Sequence, residues 1–155
     1  MKKRLIFGLV FSVFFGLLMI SCRTQTHASY SLPDLVGVWE GSYFAAQGET
    51  GMTMTVWEEN GNFRAIWYFY NLPDRTNPRF LPVGEDGSVY MHVTSNQSTE
   101  KYNLVAYEWI TIPNVPNATF TLMSLEGIVH GNTFSGNALV QGRSDSTFTF
   151  HVVRQ

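Results

Sequence analysis

From Leu35 to Gln155 apolar and polar residues alternate, and no stretch repeats apolar residues at helical spacing. Neighbouring side chains of a strand point to opposite faces, whereas a helix needs a period near 3.6, so this pattern commits the region to β structure. Turn residues divide it into segments. The first strand is predicted over Val36 to Phe44. The Gly-rich turn Gln47-Gly48-Glu49-Thr50-Gly51 leads to a second over Met52 to Glu58, and the tight Asn60-Gly61 hairpin to a third over Phe63 to Tyr70. A long loop, Asn71 to Gly87, carries Pro73, Pro78 and Pro82 and is too proline-rich for a central strand. The remaining strands are expected over Ser88 to Thr94, Lys101 to Ile112, Ala118 to Val129, Thr133 to Val140 and Ser146 to Arg154. An eight-stranded antiparallel meander left open would expose two edges. Closure into an all-β up-and-down barrel removes both, with a two-sheet β-sandwich as the alternative. Eight strands enclose an interior that side chains fill or share with one small ligand.

The residues ahead of this region are of another kind. Lys2, Lys3 and Arg4 precede an apolar run from Leu5 to Ile20, the layout of a secretory leader. The run is short for a membrane-spanning helix, which needs about 20 residues, and no basic cluster follows it. Leu18-Met19-Ile20-Ser21-Cys22 resembles the lipobox of bacterial lipoproteins, in which a small residue precedes a cysteine that is acylated, with palmitate-type chains, and becomes the new N-terminus. Cys22 is the chain's only cysteine, so no internal disulfide can form in an oxidising destination, and a thiol consumed by lipid leaves no liability. The alternative is an ordinary secretory leader cut after Thr26-His27-Ala28. The lipobox resemblance implies a signal peptide over 1–21; the polar, aperiodic residues that follow read as a lipidated tether over 22–34, and the alternating region as a single barrel domain over 35–155. It also implies a bacterial envelope location: the outer face of the cytoplasmic membrane, or the outer membrane, where the lipid on Cys22 holds the chain.

Charge narrows the partners. The leader takes three of the ten basic residues and none of the twelve acidic ones, leaving seven against twelve and a formal charge of −5. Nucleic-acid binders cluster positive charge against phosphates, so no nucleic-acid partner is expected. His27, His92, His130 and His151 are scattered with no chelating spacing and no acidic cluster, so neither a metal nor another cofactor is expected.

Gly37-Val38-Trp39 on the first strand and Arg154 on the last resemble the calycin pattern of lipocalins and avidins. There a tryptophan crosses one barrel end and a basic residue of the last strand packs on it. The resemblance implies a structural Trp39–Arg154 pair held by cation–π attraction. Alternation puts Arg154 on the face of Phe148, Phe150 and Val152, and Trp39 on that of Gly37, Gly41 and Tyr43. The avidin ligand pattern is not met, because Gly41 and Ala45 stand where asparagine and serine would be, so biotin is not the expected ligand. The chain also resembles a widespread bacterial domain with the runs L-x-G-x-W-x-G-x-Y, G-x-T-G, W-I-x-x-P and L-x-G. Here these are Leu35 to Tyr43, Gly48 to Gly51, Trp109 to Pro113 and Leu125 to Gly127, and the likeness implies no activity.

No nucleophile–base arrangement is recognisable, so the chain is read as a non-enzymatic binding module. The aromatic residues Tyr43, Trp67, Phe69 and Trp109, with Glu108, are candidates for lining a cavity. Arg75 and Arg79 on the Pro-rich loop are candidates for meeting an acidic group at the mouth. Gly41, Ala65 and Ala106 are the small residues expected to open room for a ligand. Two other readings stand beside this one: an enzyme inhibitor acting through the loop from Leu72 to Pro82, and a small barrel isomerase or hydrolase. The enzyme would use Glu40, Glu58 or Glu108 as acid or base, its pKa raised by an aromatic pocket.

Overall fold

The computed structural model describes residues 31–45, 48–72, 86–114, 119–143 and 147–155. They form a closed antiparallel barrel in which eight strands pair in sequence order. The strands are β1 (Gly37–Ala45), β2 (Gly48–Glu59), β3 (Asn62–Tyr70), β4 (Gly87–Asn96), β5 (Lys101–Thr111), β6 (Met123–His130), β7 (Thr133–Val140) and β8 (Thr147–Arg154). The last strand pairs with the first from Trp39↔Arg154 to Phe44↔Thr149, which closes the sheet.

Alternation decides which side chains turn inward. On β2 the inner face is Thr50, Met52, Met54 and Val56; on β3 it is Ala65, Trp67 and Phe69; on β4 it is Val89, Met91 and Val93. All of these but Thr50, together with Trp39, Tyr102, Leu104, Leu125, Phe134, Phe150 and Val152, make one continuous apolar core. At the β2–β3 hairpin Asn60 and Gly61 have φ of 53° and 77°, the paired positive angles that Asn-Gly adopts most easily. Gly41 and Gly136 serve another purpose. A Cβ on Gly41 would lie 2.1 Å from the His151 carbonyl oxygen, and one on Gly136 would lie 2.0 Å from that of Glu126. Both glycines let neighbouring backbones approach closely.

Several boundaries differ from those read in the sequence. Gly48 to Gly51 belong to β2 rather than to a turn, because Gly51 pairs with both Ser42 and Tyr70. The Tyr70 ring covers the face where a Gly51 side chain would stand, with Cε2 2.4 Å from the ideal Cβ position. β6 begins at Met123, later than expected, and pairs with β5 only from Tyr102↔Gly127 to Val105↔Ser124. Above that point the Gln141 side chain reaches across, its Nε2 donating to the Ala106 carbonyl at 2.7 Å.

The 31–34 stretch, assigned to the tether by sequence, packs as part of the domain. Leu32–Leu35 form a short 3-10 helix, the Ser31 hydroxyl donates to Asp34 at 2.9 Å, and Leu35 is fully buried.

Candidate functional site

The two ends of the barrel are built differently. At one end lie the 3-10 helix, the start of β1 and the end of β8. The Arg154 guanidinium stands 4.3 Å from the centroid of the Trp39 ring. Its Nη1 donates to the Val36 carbonyl at 2.6 Å, and its Nη2 donates to that of Asp34. The Trp39 indole N–H donates to the Leu35 carbonyl at 2.8 Å, and the Tyr102 hydroxyl to that of Ser31 at 3.0 Å. Phe134 fills the space between, edge-on to Trp39 at 6.0 Å. The end is plugged, and the polar tips of Trp39, Tyr102 and Arg154 are all bonded there.

The other end carries the connections 46–47, 71–86, 112–122 and 141–146. Here inward-facing aromatics of β1, β3 and β5 form a continuous ladder. Tyr43 and Trp67 meet edge to face at 5.4 Å, as do Phe69 and Trp109 at 6.2 Å and Trp109 and Phe120 at 6.3 Å, while Trp67 and Phe69 meet at a tilt at 5.6 Å. The inner rungs are buried; Trp109 and Phe120 are half-buried. Leu122, Met123 and Phe148 share that rim, partly exposed and packed against the core. This is the mouth.

The polar groups inside it are few. Tyr43 and Thr50, cross-strand neighbours, are both buried and hydrogen-bonded to each other, and burial pushes the Tyr43 phenol up to about 12. Trp67 is 1% exposed, and its indole N–H is shielded from solvent with no acceptor among the described residues. Leaving a buried donor unmatched costs about 1–3 kcal/mol. Thr50 and Ser88 are the only buried polar residues described, and none of those buried is charged. Flexible methionines, Met52 and Met54 on β2 and Met91 on β4, pack fully buried behind the ladder.

Of the residues singled out from sequence, Tyr43, Trp67, Phe69 and Trp109 therefore come together in one place. Glu108 does not. Strict alternation from Tyr102, Leu104 and Ala106 would turn Glu108 inward and Trp109 outward. The register instead passes from Met91↔Ala106 to Tyr90↔Glu108, a bulge that leaves Tyr107 as an extra residue and reverses the phase. Trp109 then faces in opposite Val89, and Glu108 is exposed on the outer wall. Tyr107 lies on that wall too, stacked on His92 at 4.1 Å. The one trace in the sequence is that inward apolar spacing lengthens from two to three between Ala106 and Trp109.

Glu40 and Glu58 are exposed as well, so none of the three strand glutamates sits in the aromatic pocket that the enzyme reading requires. Gly41 opens no room, because the β8 backbone occupies the space its side chain would take. Ala65 and Ala106 are buried in the core. Arg75, Arg79 and Cys22 lie outside the described residues. On the outer wall the Tyr68 hydroxyl donates to Asp86, which links β3 to the residue ahead of β4 and raises the Tyr68 phenol. Among the described residues no group of three His, Cys, Asp or Glu side chains could hold a metal ion.

No protein-family model matches the chain, and no curated protein or solved structure matches it.

Proposed function

We propose that this chain is a lipid-anchored bacterial envelope protein with a calycin-like barrel, a non-enzymatic binding module that takes a small ligand at the mouth. One observation carries the reading. The aromatic ladder from Tyr43 to Phe120 begins in the buried interior and ends half-exposed at a rim of apolar side chains. Concave, mostly apolar sites with a few polar groups are where small molecules bind. Methionine side chains are unbranched and polarizable, and Met52, Met54 and Met91 can repack to admit a guest without breaking the sheet.

The attachment point supports the same reading. Ser31 is bonded at the plugged end, and the span from Cys22 to Ser31 reaches at most about 30 Å when fully extended. A lipid on Cys22 would hold the plugged end toward the bilayer, leaving the mouth open to the aqueous side. The module would thus sample solutes rather than membrane lipid.

Titration of the lipid-free Cys22→Ser form with the neutral dye N-phenyl-1-naphthylamine tests the site. Energy transfer from tryptophan to the dye is expected, with affinity falling about tenfold in Trp109→Ala. Tyr90→Ala, on the outer wall, should leave binding unchanged. Equal loss in both variants, or no saturable binding, would remove the mouth from consideration.

A further inference from the structure

We propose that the mouth takes an uncharged, flat molecule carrying a hydrogen-bond acceptor, and that the Trp67 indole N–H is the donor it meets. This rests on reading the mouth as the binding site and adds the chemistry of what binds there.

The comparison within the molecule is direct. The barrel interior holds several aromatic side chains with polar tips. At the plugged end Trp39 donates to Leu35 and Tyr102 to Ser31. At the mouth Tyr43 is bonded to Thr50. Trp67 is as buried as any of these, yet its N–H has no acceptor among the described residues. A buried donor without a partner is rare in a folded protein and is commonly matched by something that is not protein. An indole can only donate, so its missing partner must accept.

The rest of the wall defines the remainder of the guest. Tyr43 and Thr50, both buried on the adjoining strands β1 and β2, add hydroxyls, which can donate as well as accept. No charged side chain is buried among the described residues, so an ion would lose its hydration with nothing to replace it. Tyr43 and Phe69 flank Trp67 at 5.4 Å and 5.6 Å, and ring walls of this kind favour a flat partner.

Fluorene and fluorenone test the assignment, since the two differ only in a methylene replaced by a carbonyl. The full chain, isotope-labelled and embedded in lipid nanodiscs, would be titrated with each and followed through its indole N–H resonances, with Trp39 as the internal reference. Partitioning into lipid cancels when the ratio of the two affinities is compared between wild type and Trp67→Phe. The expected result is a ratio of about ten in favour of fluorenone in wild type, falling to about one in Trp67→Phe. The Trp67 resonance should move downfield with fluorenone and not with fluorene. Fluorenone-4-carboxylate should bind at least about tenfold more weakly than fluorenone.

A wild-type ratio near one, a ratio that survives in Trp67→Phe, or a Trp67 resonance that does not respond overturns the donor assignment. Carboxylate binding as tight as that of fluorenone overturns the uncharged character. Should Trp67→Phe fail to fold, the wild-type resonance decides alone. If both compounds bind alike, the donor assignment falls while the mouth reading stands; if neither binds, the mouth reading itself falls.

Discussion

Replacing Arg154 with methionine probes the closure of the barrel. Methionine keeps most of the aliphatic bulk and removes the charge and the hydrogen-bonding fork. Three interactions end with it. The cation–π contact to Trp39 at 4.3 Å is half-sheltered and worth about 1 kcal/mol. The bond from Nη1 to the Val36 carbonyl joins a charged donor to a half-buried acceptor and is worth about 2 kcal/mol. The bond to the Asp34 carbonyl is exposed and adds little, since water replaces it. The expected loss is therefore about 3 kcal/mol, a large fraction of the roughly 5–15 kcal/mol that holds a domain together. For a domain of this size that lowers Tm by about 12 °C, at roughly 4 °C per kcal/mol. Urea denaturation should show a lower midpoint with an unchanged slope, because the folded shape is kept. Arg154→Lys, which keeps a point charge without the fork, should recover about half. A double-mutant cycle with Trp39→Leu, which removes the aromatic face, should return a coupling near 1 kcal/mol. If Arg154→Met lies within about 0.5 kcal/mol of wild type, the guanidinium does not hold the two terminal strands together, and the plugged end needs another explanation.

Two glycines should fail for opposite reasons. Gly41→Ala forces a Cβ to within 2.1 Å of the His151 carbonyl and 2.9 Å of the Val152 Cα, contacts that only backbone movement relieves, so it should cost about 3 kcal/mol or more. Gly61→Ala meets nothing within 4 Å and costs only the strain of its φ of +77°, about 1 kcal/mol; urea midpoints that reverse this order would contradict the assigned seam. Tyr43 gives a pH prediction. With its phenol raised from 10.0 to about 12, the folded state keeps a proton that the unfolded chain releases. Its contribution is intact below pH 10 and is lost as pH rises to 12, by up to about 3 kcal/mol. Stability of Tyr43→Phe should fall less steeply than wild type across that window, and parallel slopes would show that Tyr43 titrates normally. Cys22→Ser should move the chain from the membrane fraction to the soluble one and end incorporation of labelled palmitate; labelling that persists would place the lipid elsewhere.

How far the architecture can be read from the residues depends on which force sets each feature. Strand identity follows from alternation, because one face of every strand must be buried, and β7 begins and ends where the pattern says it should. The Asn60-Gly61 turn is legible for a local reason, the ease with which those residues take positive φ. The features that escape are set by partners distant in sequence. Gly48 to Gly51 look like a turn until Tyr70 lies over Gly51 and supplies the covering that a strand needs there. The late start of β6 reflects competition at Ala106, whose carbonyl accepts from Gln141. The bulge at Tyr107 turns Trp109 inward and Glu108 out, so of two residues expected at the cavity only one lies there; Tyr107 itself stacks on His92, a partner far from it in the chain.

The same contrast separates the two inward tryptophans, whose roles composition cannot distinguish. Trp39 has its N–H on Leu35, a guanidinium on its face and Phe134 at its edge, so each part of the ring is used by the fold. Trp67 uses its edges and faces against Tyr43 and Phe69 but leaves its one polar atom unmatched. A side chain that served only packing could be a phenylalanine with its neighbours closed around the smaller ring, which buries no donor. Retaining an indole at a cost to stability makes sense where the donor meets a guest. Trp67→Phe should then stay within about 1 kcal/mol of wild type in the ligand-free protein, since removing an unsatisfied group offsets the roughly 1 kcal/mol that the space left by the smaller ring costs. Trp39→Phe should be destabilising by about 2 kcal/mol or more, because it breaks a bond and half of a cation–π pair. Thermal melts of the two variants side by side would decide between a division of labour and a uniform core: if both lose the same stability, Trp67 is structural and the case for a donor at the mouth goes with it.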